Sequence, residues 1–118
     1  MNEMQILTQR KCRPCEGTGH PLDTQTADEY LKKIPGWEFT QNKKGISRLL
    51  VMKNFMAAIH LIHQIAALAE EENHHPDIHL VAYRKLTVAL STHAIGGLSE
   101  NDFIMAAKIN ALPAELKK

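Results

Sequence analysis

The sequence predicts an α+β domain built on an antiparallel sheet with one face covered by helices. Three observations lead there. Two pairs of strand-like segments, 37–41 with 46–52 and 78–82 with 86–92, are each joined by a short link. A long helical pattern over 55–73 separates the pairs, and shorter helical patterns flank them. The resulting order, α-β-β-α-β-β-α, is that of two hairpins alternating with helices.

Each element has its own signal. Residues 1–22 read as an irregular N-terminal arm, interrupted by Pro14, Gly17, Gly19 and Pro21; 23–118 read as a single domain. Thr24 or Thr26 is a candidate N-cap for a short helix through ADEYLKKI, with acids near its start, lysines near its end and Pro35-Gly36 as its stop. WEFTQ alternates large apolar and polar residues, NKKG is a turn of about four residues, and ISRLLVM completes a hairpin. Asn54 caps the long helix, whose apolar stripe is expected to hold Phe55, Ala58, Ile59, Ile62, Ile65, Ala66 and Ala69. IHLVA and LTVALST form the second hairpin. Ser99 and Asp102 make a capping-box pattern for a last helix over 99–110.

Composition excludes several function classes. At 118 residues, 44% hydrophobic and 23% charged, the chain is long enough for one domain with a real core. A net charge of +1 and 5% aromatics give no global case for nucleic acid or a membrane surface. No apolar run reaches the roughly 20 residues of a membrane span. The N-terminus lacks the apolar core of a signal peptide, so cytoplasm is the expected compartment. Cys12 and Cys15 form a lone CxxC. Zinc needs two further ligands, and His20 offers only one, so reduced thiols in an arm are the favoured reading.

The chemistry is concentrated in EENHHPDIH, residues 71–79. Histidine alone among side chains ordinarily titrates near neutrality, so grouped histidines suggest proton transfer or metal binding. His74 falls at the end of the long helix, where the dipole favours a cation, and Glu70 lies one turn before it. Pro76 forces His75 into extended backbone, so the pair forms a corner from which both rings can face one pocket. His93 closes the last strand and approaches that corner if the two central strands pair. His60 and His63 read as helix-surface residues and His79 as a bystander. His63, Glu70 and His74 share a helix face, but no recognised zinc spacing is present. Spacing alone leaves metal and acid–base chemistry both open.

The spacings together resemble the pterin-4a-carbinolamine dehydratase family: Glu70, three residues, His74-His75-Pro76, six residues, Tyr83, nine residues, His93, eight residues, Asp102. LSTHAIGGLSENDF is similar to the family's text, and the resemblance covers about residues 24–112. It implies a four-stranded antiparallel sheet with three helices on one face and a homodimer or homotetramer. It also implies dehydration of 4a-hydroxytetrahydropterin to quinonoid dihydropterin, recycling the cofactor of aromatic amino acid hydroxylases. The implied roles are acid–base catalysis by His74 and His93, pterin binding by His75, orientation of His74 by Glu70, an apolar pocket wall at Trp37, and a substrate contact or helix cap at Asp102. No metal or organic cofactor is implied. Some members carry an arginine where Asn101 stands; any contact it makes there is either absent here or supplied elsewhere, with Arg84 and Lys108 as candidates, and the spacer to Tyr83 is the longer of the family's variants. Animal relatives also serve as dimerisation partners of a transcription factor. A non-catalytic binding module and a histidine-ligated metalloenzyme are therefore the alternatives.

Overall fold

The structure, a computed structural model, describes residues 3–12 and 20–117. Its elements are α1 (Glu3–Thr8), α2 (Thr24–Leu31), β1 (Glu38–Phe39), β2 (Ile46–Val51), α3 (Phe55–Glu72), β3 (Asp77–Val81), β4 (Lys85–Leu90), a 3-10 turn (His93–Ile95) and α4 (Glu100–Asn110). The strands form one antiparallel sheet in the order β1-β2-β4-β3. Both hairpins are present, and β2 pairs with β4 from Ile46↔Leu90 to Val51↔Lys85. The predicted α+β class stands, and the order α-β-β-α-β-β-α holds from α2 to α4.

Alternation along the strands sets the layers. Ile46 and Leu50 of β2 and Leu86, Val88 and Leu90 of β4 point into the core beneath the helices, while Leu49 and Val81 stand exposed on the bare face. α4 is the central helix, buried from Asn101 through Ala107 and at Ile109. Tyr30 of α2 stacks on its Phe103, with ring centroids 5.1 Å apart.

Local differences from expectation have physical reasons. The arm contains a helix, α1, because Met4 and Leu7 recur at helical spacing and pack onto α4; Leu7 is buried. Asp23, not Thr24 or Thr26, caps α2, accepting the Thr26 N–H at 2.7 Å. Asn54 caps α3 as predicted, accepting the Ala57 N–H at 2.8 Å. The buried stripe of α3 is Ala58, Leu61, Ile65, Ala69 and Glu72, whereas Phe55, Ile59 and Ala66 are exposed. The apolar arc of α3 extends past its buried stripe to Phe55, Ile59 and Ala66, away from the polar side that carries His60, His63 and Glu71, so the pattern alone does not select which part of the arc is buried. The first hairpin keeps only Glu38 and Phe39 in β1, because Thr40 folds back to close the turn with the Gly45 N–H.

Candidate active site

α3 ends at Glu72, and Asn73 adopts the left-handed conformation (φ 52°, ψ 42°) that commonly terminates helices. This one residue separates the neighbouring histidines. His74 turns inward, with its side chain only 11% exposed, and its Nε2 lies 2.7 Å from Oδ1 of the fully buried Asp102 at the base of α4. His75 turns outward, and its Nε2 meets Glu70 at the surface. The partners differ from those the sequence suggests: Glu70 pairs with His75, and Asp102 holds His74. The i, i+4 relation between Glu70 and His74 fails because the helix has already ended at Asn73.

Asp102 occupies the third position of α4 and accepts the Ser99 N–H at 2.9 Å, the carboxylate half of a capping box. The same oxygen, Oδ2, accepts the Thr92 hydroxyl at 2.8 Å. Both donors leave Oδ1 for His74. A carboxylate only accepts, so His74 Nε2 carries the proton and Nδ1 is the ring nitrogen left for other partners. Asp102 has no exposed surface with which to touch a substrate. Its hydrogen bonds go to His74 and to the N-terminus of α4, the second being the cap its spacing from Ser99 predicts.

The histidines converge on a cleft of about 440 Å³. One wall is the α3 exit, Glu72 to His75; another is the β4 exit, Ser91 to Ala94; Cys12 and Asn101 complete it. His93 reaches it because β4 pairs centrally with β2 and its chain continues into the 3-10 turn. That turn is closed by Gly96 at φ 69° and by the Thr92 N–H to Gly97 carbonyl bond at 2.9 Å. The volume suits a small bicyclic ligand.

Beneath the cleft lies a group that spacing did not flag. Glu72, buried, accepts Lys108 Nζ at 2.8 Å and the Cys12 N–H at 3.1 Å. Burial by itself pushes its carboxyl up, but Lys108 and the Cys12 N–H outweigh it and hold it below its ordinary value. This carboxylate ties the arm and α4 to the end of α3. Its signal in the sequence, one more Glu in a run of three, is indistinct.

Other predicted site residues lie elsewhere. Trp37 is buried, with its indole N–H donated to Asn110 at 2.9 Å, and does not line the histidine cleft. A tryptophan on that side of the sheet serves the core. Neither Arg84, over Tyr83 at the β3–β4 turn, nor Lys108, paired with Glu72, lines the cleft; Asn101 does so itself. His60, His63 and His79 are exposed and also lie outside that cleft. Cys15 falls outside the described residues. Among the described residues no group of three or more His, Cys, Asp or Glu side chains is arranged to hold a metal ion.

The family profile described as pterin 4 alpha carbinolamine dehydratase matches residues 20–112. A Nitrosomonas europaea protein bearing the pterin-4-alpha-carbinolamine dehydratase name is 47% identical over 107 residues, which cover 90% of this chain and 92% of that one. The mitochondrial pterin-4-alpha-carbinolamine dehydratase 2 of Arabidopsis thaliana is 39% identical over 92% of this chain and 60% of its own. A crystal structure from Brucella melitensis, described as a transcriptional coactivator/pterin dehydratase, superposes with a TM-score of 0.73 at 34% identity, covering 78% of this chain and 97% of that one. With the profile spanning the sheet, α3 and α4 together, and relatives matched along most of the chain, this protein belongs to the pterin-4-alpha-carbinolamine dehydratase family.

Proposed function

We propose that the chain is a hydro-lyase that dehydrates a 4a-hydroxytetrahydropterin to quinonoid dihydropterin and so recycles the cofactor of a pterin-dependent hydroxylase. The observation that carries the reading is the meeting of His74, His75 and His93 on one cleft, with His74 fixed through Nε2 by a buried carboxylate. The C4a hydroxyl leaves as water only once it is protonated. As the C4a–O bond breaks, the N5 electron pair forms the C4a=N5 bond, and the N5 proton passes to a base. Both transfers suit imidazoles near neutral pH, and each typically contributes about 10²–10⁴-fold. His74, backed by Asp102, is the acid that meets the hydroxyl through Nδ1. His93 takes the N5 proton, and His75 with Glu70 holds the pterin.

The reading extends to assembly and place. Phe55, Met56 and Ile59 leave an exposed apolar strip on α3, which supports a homodimer or homotetramer. No helix among the described residues is long and apolar enough to cross a membrane, and a cytoplasmic enzyme is the form proposed. Stopped-flow measurement on chemically generated carbinolamine tests the function. Acceleration by wild type and its loss in His74→Ala/His93→Ala are expected; a double variant as active as wild type would refute the roles. The Brucella relative's description favours a second reading, a protein-binding module on the same fold. Partner capture that survives loss of all three histidines, without dehydratase activity in wild type, would establish it instead.

A further inference from the structure

The N-terminal arm runs along α4 and reaches the histidine cleft. Near the C-terminal end of α4, Asn110 Nδ2 lies 3.5 Å from Met4 Sδ. Leu7 is buried beside the helix, and at its start Arg10 pairs with Glu100 at 3.0 Å. The arm is therefore antiparallel to α4, and two residues further on Cys12 borders the cleft together with His74, His75 and His93. A helix of six residues does not persist alone, so these contacts are what hold α1 in place.

Two hydrogen bonds fix Cys12 itself. Its N–H is donated to Glu72 Oε1 at 3.1 Å, and its thiol to the Asn101 carbonyl at 3.6 Å. The Glu72 side chain is only 1% exposed, and the same oxygen accepts Lys108 Nζ at 2.8 Å. A buried ion pair seldom stabilises a fold better than two apolar side chains of the same volume. An apolar pair, however, would give the Cys12 N–H no acceptor and would leave the arm free to slide along α4. The carboxylate fixes the arm's register at the point where it borders the cleft.

We propose that the arm is a working part of the cleft: Cys12 is a wall against which the bound ligand rests, and Glu72 is the positioning residue that holds that wall. The inference rests on the dehydratase reading for its ligand, a pterin. Glu72 stands two residues before His74, so one carboxylate sets the spacing between the arm and the α3 exit on either side of the ligand.

The test uses the full chain carrying Cys15→Ser, in which Cys12 is the remaining thiol. Alkylation by iodoacetamide is followed by mass, with and without 6-methyl-7,8-dihydropterin as a stable stand-in for the product. At about ten times its Kd, read from its own fluorescence, the dihydropterin should slow alkylation about tenfold, the factor 1 + [L]/Kd. Glu72→Leu/Lys108→Leu removes both charges and keeps the buried volume, so the fold should hold. In that variant alkylation should be about tenfold faster and largely unprotected by the dihydropterin. Its KM for the carbinolamine should rise about fivefold with a smaller change in kcat, the sign of lost binding; a weakened fold alone would lower the active fraction and leave KM unchanged. If the double variant does not fold, Cys12→Trp replaces it, and the bulkier wall should raise KM about fivefold. A dihydropterin that binds without slowing alkylation, or variants whose KM matches the parent's, would overturn the arm's role alone. No dihydropterin binding and no acceleration of the carbinolamine would overturn the dehydratase reading, and this inference with it.

Discussion

Replacing Asp102 by Asn separates the two tasks of that carboxylate. Its Oδ2 takes the Ser99 backbone N–H and the Thr92 hydroxyl, and its Oδ1 takes His74 Nε2. A backbone N–H cannot accept, so in Asp102→Asn the amide oxygen stays with Ser99 and the NH₂ group faces His74. Two donors then oppose each other unless the His74 proton moves from Nε2 to Nδ1. The bond changes from charge-assisted to neutral, a loss of about 1 kcal/mol, and the helix N-terminus loses its carboxylate, about 0.3–1 kcal/mol more. A stability loss of about 1–2 kcal/mol lowers Tm by roughly 5–10 °C for a domain of this size. With His74 in its proposed acid role, activity should fall further, because the imidazolium is no longer matched by a carboxylate and its share of acid catalysis, about 10²–10³-fold, would be lost. Stopped-flow dehydration below the variant's Tm measures the rate, and nitrogen-15 spectra of the imidazole report the tautomer. A folded variant within threefold of wild type, or a His74 ring that keeps its Nε2 proton, would refute the reasoning.

Three other outcomes follow from the same contacts. Glu70→Gln breaks only an exposed pair, so Tm should stay within what about 0.5 kcal/mol allows and the rate should fall by less than about tenfold; a larger loss than in Asp102→Asn, in the same stopped-flow assay, would reverse the two carboxylates' importance. Glu72→Gln leaves Lys108 without its carboxylate and should cost about 1–3 kcal/mol by denaturant titration at neutral pH. Because folding holds Glu72 below its ordinary value of 4.5, its contribution is full above that pH and disappears as pH falls through the lowered folded value; the wild-type advantage over Glu72→Gln should shrink accordingly in acid, and an advantage that persists to pH 2 would contradict the assignment. Trp37→Phe loses the bond to Asn110 and about 1–2 kcal/mol, yet kcat/KM of the folded variant should stay within about twofold, and a tenfold loss would return Trp37 to the substrate.

Periodicity made the sheet and the long helices legible, because a bare sheet face and a covered one impose alternation on β2 and β4. The side of α3 was not legible. Phe55 and Ile59 are as apolar as Leu61 and Ile65, and the buried stripe ends in a glutamate, Glu72, whose burial depends on Lys108 from another helix. Of the site, His74, His75 and His93 were legible as a set, but their partners were not. Helical spacing extrapolated through Asn73 gives His74 to Glu70, whereas Asn73, with Pro76 three residues on, is the local signal that the chain leaves the helix one residue early. The capping-box pattern identified Asp102 as a cap; only the packing of α4 beside the α3 exit turns its second oxygen toward an imidazole 28 residues away.

The left-handed residue at Asn73 has a mechanical consequence. Two side chains adjacent in the chain answer to different parts of the molecule: His74 to the base of α4, His75 to the surface of α3. A displacement of α4, transmitted through Asp102, would shift the inward imidazole and leave its neighbour in place. The inner and outer sides of the cleft can therefore be adjusted independently, by substitutions in separate helices, although only a single peptide bond lies between the two residues.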